Sequence, residues 1–195
     1  GLFPEYRKEK YIEIKPGIFY ADLTRFVPNE LEDKLSELIK AEGVVFDLRG
    51  YPYFDSDFLK HLTDETIQFP QLLVPQIIYP DRENMNDWDG SVRWQWEPMK
   101  PRFGGKIVFM TNASAISWAE TIMSIVEAYK LGTIIGSQTA GTNGDCNRVK
   151  LPGGYTFQFT GMKVLKHDDT PHHGVGIHPT VQVSRTIKGI CEKRD

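Results

Sequence analysis

Ile12 and Ile14 alternate with polar residues, Pro16-Gly17 interrupts them, and an apolar run from Ile18 to Leu23 follows. That pattern predicts a β-hairpin over 11–23. Leu31, Leu35, Leu38 and Ile39 share one helical face within 29–42, acidic residues come early, a lysine comes late, and Gly43 is the stop. Val44 to Leu48 is a short apolar run, consistent with a buried strand. The turn-rich segment DLRGYPYFDSD follows, and 57–62 predicts a short helix. Residues 67–105 carry Trp88, Trp94 and Trp96 and five prolines. They suggest a strand near Leu72–Tyr79, the polar loop DRENMNDWDG, and a strand near Val92–Trp96, an excursion that reads equally as a lid or binding wall and as solvated packing. Ile107 to Met110 is a strand, 117–131 a helix apolar on most of its circumference, Gly132 its stop, and Thr133–Ile135 the next strand. A Gly-rich loop, GSQTAGTNGD, leads to strands near Val149–Leu151, Tyr155–Phe159 and Lys163–Lys166, with Lys163 and Lys166 solvated. The tip HDDTPHHG and a last short strand at Val181 and Val183 complete the chain. Strand–helix–strand order around 44–62 and 106–135 implies parallel pairing, and the terminal hairpins make the sheet mixed. The fold class is therefore α/β, a mainly parallel sheet with crossover helices and β-hairpin appendages.

The 195 residues fit one domain, 1–195, of ordinary size. With 23 Lys plus Arg against 26 Asp plus Glu, the net charge of −3 argues against nucleic acid as the partner. No apolar run approaches the ~18 residues of a membrane span. The N-terminus GLFPEYRKEK has neither Met nor an apolar targeting core. It and the polar end SRTIKGICEKRD suggest a fragment of a longer chain. Cys146 and Cys191 are too few for a disulfide framework.

The segment MTNASAISWAET places Ser117 after a strand and at the start of a buried helix. A hydroxyl there sits at the positive end of the helix dipole beside unpaired N–H groups, which suits a nucleophile facing an oxyanion. The same residues also read as a capping box, Ser117 at the N-cap and Glu120 at N3, whose loss would cost about 1 kcal/mol. His167, Asp168, Asp169, His172 and His173 crowd one loop. They read as a solvated hairpin tip, as the source of a catalytic histidine for Ser117, or as a zinc site, although no local spacing matches a structural one. His61 and His178 read as packing or surface residues.

Three segments in order resemble the tail-specific (C-terminal processing) peptidases, the tricorn protease core and the related retinoid-binding-protein repeats. VVFDLRGYP resembles their I-L-D-L-R-x-x-P-G-G strand and turn. TNASAISWAE resembles their nucleophile segment, in which Glu follows Ser by three positions. IIGSQTAGTNG followed by HHGVGIHPTV resembles their Gly-rich loop and terminal G-V-x-P-D motif. The resemblance implies a crotonase-like core and peptide hydrolysis by acyl transfer, with peptide or unfolded protein as substrate and without metal or cofactor. Ser117 would be the nucleophile, and Trp118 N–H with a backbone amide near Gly50 to Tyr53 the oxyanion donors. Thr142 stands where the Ser–Lys branch has its lysine, so the tricorn-like branch, with a histidine base, is nearer. His173, backed by His172, is the candidate base within the chain, and it stands where that branch has Glu. Pro52-Tyr53-Phe54 replaces the P-G-G turn. The relatives carry an upstream helical segment with a catalytic His and a PDZ domain, so the resemblance implies partner domains in the same parent chain, an exported or periplasmic bacterial location, and little activity for these residues alone. The rival function is a non-catalytic ligand- or peptide-binding module on the same fold, with the aromatic segment 88–96 as a pocket wall.

Overall fold

The structure, a computed structural model, describes residues 7, 9–54, 56–77, 79, 87–90 and 93–192. Among the described residues thirteen strands form four sheets: β1 Tyr11–Lys15, β2 Ile18–Asp22, β3 Gly43–Asp47, β4 Ile67–Gln68, β5 Gln71–Gln76, β6 Asp87–Asp89, β7 Gln95–Trp96, β8 Lys106–Thr111, β9 Thr133–Gly136, β10 Cys146–Lys150, β11 Thr156–Thr160, β12 Lys163–Leu165 and β13 Val181–Gln182. The helices are α1 Glu32–Leu38, α2 Trp118–Tyr129 and α3 Ile187–Cys191, with a 3-10 turn at Asp57–His61.

The main sheet runs β1-β2-β3-β8-β9-β13. Only its β1–β2 hairpin is antiparallel; every other pair is parallel. The alternation in VVFDL explains the centre of this sheet. Val44, Phe46 and Leu48 are buried, Phe46 lies beside Ala21 and Phe109, and Phe109 lies beside Ile134. Helix α2 covers that core with Ala119, Ile122, Met123, Ile125 and Val126, all fully buried. Parallel strands put their carboxyl ends on one side, where open α/β sheets hold their ligands. The β8–α2 loop and the β3 turn meet on that side.

Several boundaries differ from the sequence pattern for identifiable reasons. The first helix spans Glu32–Leu38, not 29–42: Asn29 sits at φ +70°, and Glu42 and Gly43 donate to the Gly17 carbonyl as β3 begins. Helix α2 ends at Tyr129, with Lys130 in the left-handed conformation. Gly132 serves another purpose, since a Cβ there would stand 2.7 Å from the Ile107 carbonyl oxygen. Lys166, expected to be solvated, is 9% exposed and pairs with Glu127 at 3.2 Å. The polar C-terminal segment holds the short α3, capped by the Thr186 hydroxyl, which accepts from Gly189 N–H. The loop expected at 81–90 holds β6 in its last residues, and residues 81–86 and Val92 lie outside the described residues.

Phe46 is the hinge of the core, its ring 4.7 Å from Phe58 and 5.5 Å from Phe109 between centroids. Phe46→Ala is expected to destabilise the fold by about 3–5 kcal/mol, the cost of truncating a buried aromatic. Urea unfolding measures it; a loss below ~1 kcal/mol would mean that the core closes around the cavity.

Candidate active site

Strand β8 ends at Thr111, and Asn112 turns the chain: its carbonyl accepts from Ala115 N–H and its side chain from Ser114 N–H. Ser117 then stands at φ +52°, ψ −114° immediately before α2. This conformation is strained for a residue with a Cβ and is typical of residues held for function. It also overturns the capping-box reading. The Ser117 hydroxyl makes no capping hydrogen bond, and Glu120 turns away from the Ser117 amide. That amide instead donates to the Thr142 carbonyl at 2.9 Å. The half-buried Ser117 side chain opens onto a cleft of about 600 Å³.

Glu120 is fully buried and organises the ground under that serine. Its Oε1 accepts from the Thr139 hydroxyl at 2.5 Å and Gly141 N–H at 2.7 Å, and its Oε2 accepts from Thr142 N–H at 2.8 Å. His172 Nε2 lies 3.2 Å from Oε1. Burial pushes this carboxyl up, but His172, the Thr139 hydroxyl and the Gly141 amide outweigh it and hold the group below the ordinary glutamate range. The Gly-rich loop is thereby tied to the first turn of α2. Gly141 is at φ +70°, and a Cβ on it would press on the Gly174 backbone at 3.0 Å.

Trp118 N–H, at the first position of α2, has no hydrogen-bond partner among the described residues, and Trp118 lines the cleft beside Ser117 at the positive end of the helix. The Trp118 indole is clamped: Nε1 donates to the Phe54 carbonyl at 3.3 Å, and its ring stacks on Phe69 and meets Trp96 edge-on. The excursion 67–105 thus forms a wall against the start of α2, and Pro70, Leu72 and Trp94 line the cleft. Tyr51, Pro52, Tyr53 and Phe54 line it as well. Tyr53 is 74% exposed, and its backbone is not at positive φ. Gly50 drops out as an oxyanion donor because its N–H is spent on the Leu48 carbonyl at 2.8 Å.

The histidine loop is divided: Asp168, Asp169, Thr170 and Pro171 are exposed, as the solvated reading expects, but its histidines are buried or half-buried. His172 is 1% exposed against Glu120; its Nε2 is within ion-pair distance of the carboxylate, but neither ring nitrogen has a partner in good hydrogen-bond geometry among the described residues. His173 Nε2 accepts from Val164 N–H at 3.3 Å, and His167 is half-buried with Nε2 2.5 Å from the Gln68 carbonyl oxygen. Burial pushes the His167 pKa down. Neither His172 nor His173 lines the cleft; its titratable members among the described residues are Asp145, Tyr51 and Tyr53. No three His, Cys, Asp or Glu side chains among the described residues gather as a metal site. The role of Glu120 was within reach of the sequence only as a glutamate three positions after Ser117, where a cap is the commoner meaning.

The profile of peptidase family S41 matches residues 17–183. No curated protein is significantly similar to the chain. Among solved structures, the chain is similar to a proposed peptidase from Parabacteroides merdae ATCC 43184, with 21% identity and a TM-score of 0.72 over 95% of this chain and 60% of that one. It is also similar to mature CPAF in complex with lactacystin, with 15% identity and a TM-score of 0.67 over 91% of this chain and 49% of that one. The tricorn protease aligns at 16% identity and a TM-score of 0.60 over 92% of this chain and 16% of that one. The shared architecture is the α/β, crotonase-like core, and this chain spans 60% of the Parabacteroides protein's length. No helix among the described residues is long and apolar enough to cross a membrane.

Glu120→Gln tests the buried network. Its folded pKa is below the unfolded value of about 4.3, so the ionised carboxylate stabilises the fold above that pH, and this contribution disappears as pH falls through the folded pKa. At pH 7 the variant is expected to lose on the order of 2–3 kcal/mol, as when the charged acceptor of buried hydrogen bonds from Thr139, Gly141 and Thr142 is neutralised. The gap to wild type narrows below about pH 4. Urea midpoints at pH 7 and at pH ~3.5 measure both; a gap independent of pH would remove the charge from the account.

Proposed function

We propose that this chain, which belongs to peptidase family S41, is the nucleophile-bearing core of a serine peptidase. The observation that carries the proposal is Ser117. A residue with a side chain is held at φ +52°, its hydroxyl bonded to nothing described, at the junction of a parallel strand's carboxyl end and a buried helix, and open to a cleft. Such strand-to-helix elbows expose a serine for attack while the helix supplies amides behind it.

In this reading a peptide lies in the cleft with its scissile carbonyl over Ser117. The hydroxyl oxygen attacks the carbonyl carbon as a general base takes its proton. The carbonyl oxygen becomes the oxyanion and is met by Trp118 N–H, with Tyr53 N–H as the second donor from the turn after β3. The C–N bond then breaks, the amine leaves with the proton, and water hydrolyses the acyl-enzyme. His172 and His173 are left out of the base role by their engagements with Glu120 and Val164 N–H. The base is then a group outside the cleft-lining residues described.

One observation favours the non-catalytic alternative: no histidine or lysine is among the described residues that line the cleft. A fluorophosphonate probe applied to the intact protein separates the two readings. Labelling of Ser117 is expected for the peptidase; a probe that never reacts favours the binding module. Ser117→Ala is expected to lower turnover of a peptide substrate by several orders of magnitude. Because the hydroxyl caps nothing, the same change should move stability by no more than ~0.5 kcal/mol, less than a lost cap would cost. Wild-type turnover in the alanine variant would end the assignment.

A further inference from the structure

Strands β10 and β11 form a ribbon that pairs with no other strand among the described residues. Its register is regular: Asn147 faces Phe159, Arg148 faces Gln158, Val149 faces Phe157 and Lys150 faces Thr156. The Leu151 N–H closes on the Tyr155 carbonyl at 2.8 Å over the turn Pro152-Gly153-Gly154, whose glycines are at φ +85° and +83°. Facing residues of an antiparallel pair share a side of the sheet, and alternate residues share it along each strand. One side therefore carries Val149, Leu151, Tyr155, Phe157 and Phe159, with Asn147 at its root, and the other carries Arg148, Lys150 and their facing partners Gln158 and Thr156. The apolar side is uncovered: Val149 is 43%, Leu151 48%, Tyr155 72%, Phe157 55% and Phe159 39% exposed. Phe157 and Phe159 stack on each other at 5.7 Å, but no described core residue covers them. A lone two-stranded ribbon is marginal in water, and an apolar face of this kind marks a site of interaction.

Two observations choose the occupant. The ribbon is continuous with the cleft: Asn143, Gly144 and Asp145 line the space beside Ser117, and β10 starts at the next residue. Its root is fixed, because Asp145 N–H points at Met162 Sδ and a Cβ on Gly144 would meet the Thr160 hydroxyl at 2.8 Å. The second observation is size. Five partly exposed side chains offer on the order of 500 Å², short of the roughly 800 Å² that each partner of a stable dimer buries. One extended peptide segment fits that area, and the free strand edges supply backbone donors and acceptors to it.

We propose that the β10–β11 ribbon is a substrate-docking surface for an extended, apolar-rich segment of unfolded polypeptide, held outside the cleft while a neighbouring segment lies over Ser117. This rests on the peptidase reading for its purpose but not for its measurement. Fluorescein-labelled β-casein, an unfolded polypeptide, is titrated by anisotropy into the intact protein carrying Ser117→Ala, so that binding is read without turnover. Adding Tyr155→Ser and Phe157→Ser together, or Tyr155→Ser alone at the exposed tip should the pair fail to fold, is expected to weaken binding at least tenfold for the pair and about threefold for the single change. Arg148→Gln with Lys150→Gln, on the opposite side, is expected to leave it within twofold. In the active protein, the ribbon variants should raise KM for casein while kcat and KM for a short peptide ester stay unchanged. Casein affinity unchanged by the ribbon variants overturns the proposal. So does an apolar face whose mutation shifts only the sedimentation of the protein, which would assign it to a second copy. Loss of the peptidase reading shows separately, as a probe that never labels Ser117, whatever the casein titration gives.

Discussion

A single buried carboxylate holds the candidate site together. Glu120 is on the first turn of α2, where a negative charge complements the helix dipole, yet it is shut off from water and must be satisfied by protein groups alone. It is met by one hydroxyl, two amides and one imidazole, and these come from the Gly-rich loop and from the segment after β12. Two pieces of chain more than fifteen residues apart in sequence are thereby drawn onto one helix end. The Thr139 hydroxyl, while donating to Glu120, accepts from Ile177 N–H, so the network continues into the chain leading to β13. The amide of Ser117 closes the circuit on Thr142. A residue at φ +52° costs on the order of 1–3 kcal/mol, and such strain persists only where the surroundings over-determine it. Here the surroundings are this network on one side and the Phe69–Trp96–Trp118 cluster on the other.

Much of the architecture was legible in the hydrophobic pattern because its central elements are buried or half-buried along most of their length. Val44–Leu48, Ile107–Met110 and the apolar circumference of the helix after Ser117 admit few alternatives, and the order of elements then dictates parallel pairing. Ser117 was legible by position, as the residue between a strand and a buried helix. Its conformation was not, since Ser-x-x-Glu is the same string whether Glu reaches back to cap the helix or turns away to hold a loop twenty residues later. The histidines show the same limit. HDDTPHHG has the composition of a solvated tip, and part of it is one, with Asp168 satisfied by Thr170. His172 is buried because a carboxylate distant in sequence awaits it, and no local pattern encodes that partner. Lys166 goes inside for a similar reason, toward Glu127.

The D-L-R string illustrates how a motif that looks chemical can be structural. Asp22 and Asp47 are neighbours in register at the ends of β2 and β3, both fully buried, which would repel without compensation. Arg25 and Arg7 meet Asp22, while Arg49 forks onto Asp47 and Tyr20 donates its hydroxyl to it at 2.6 Å. Burial pushes the Asp47 carboxyl up, yet the Arg49 hydrogen bonds and charge hold it below the ordinary range. The Arg49 amide also donates to Asp47, which bends the chain sharply out of β3. Arg7 in turn donates to the Arg49 carbonyl. The segment that leaves this bend is Tyr51 to Phe54, which lines the cleft together with Ser117. The two carboxylates therefore need no place in the reaction to matter to it. They fix the turn after β3, as Glu120 fixes the Gly-rich loop against the start of α2, and residues from both places line the cleft.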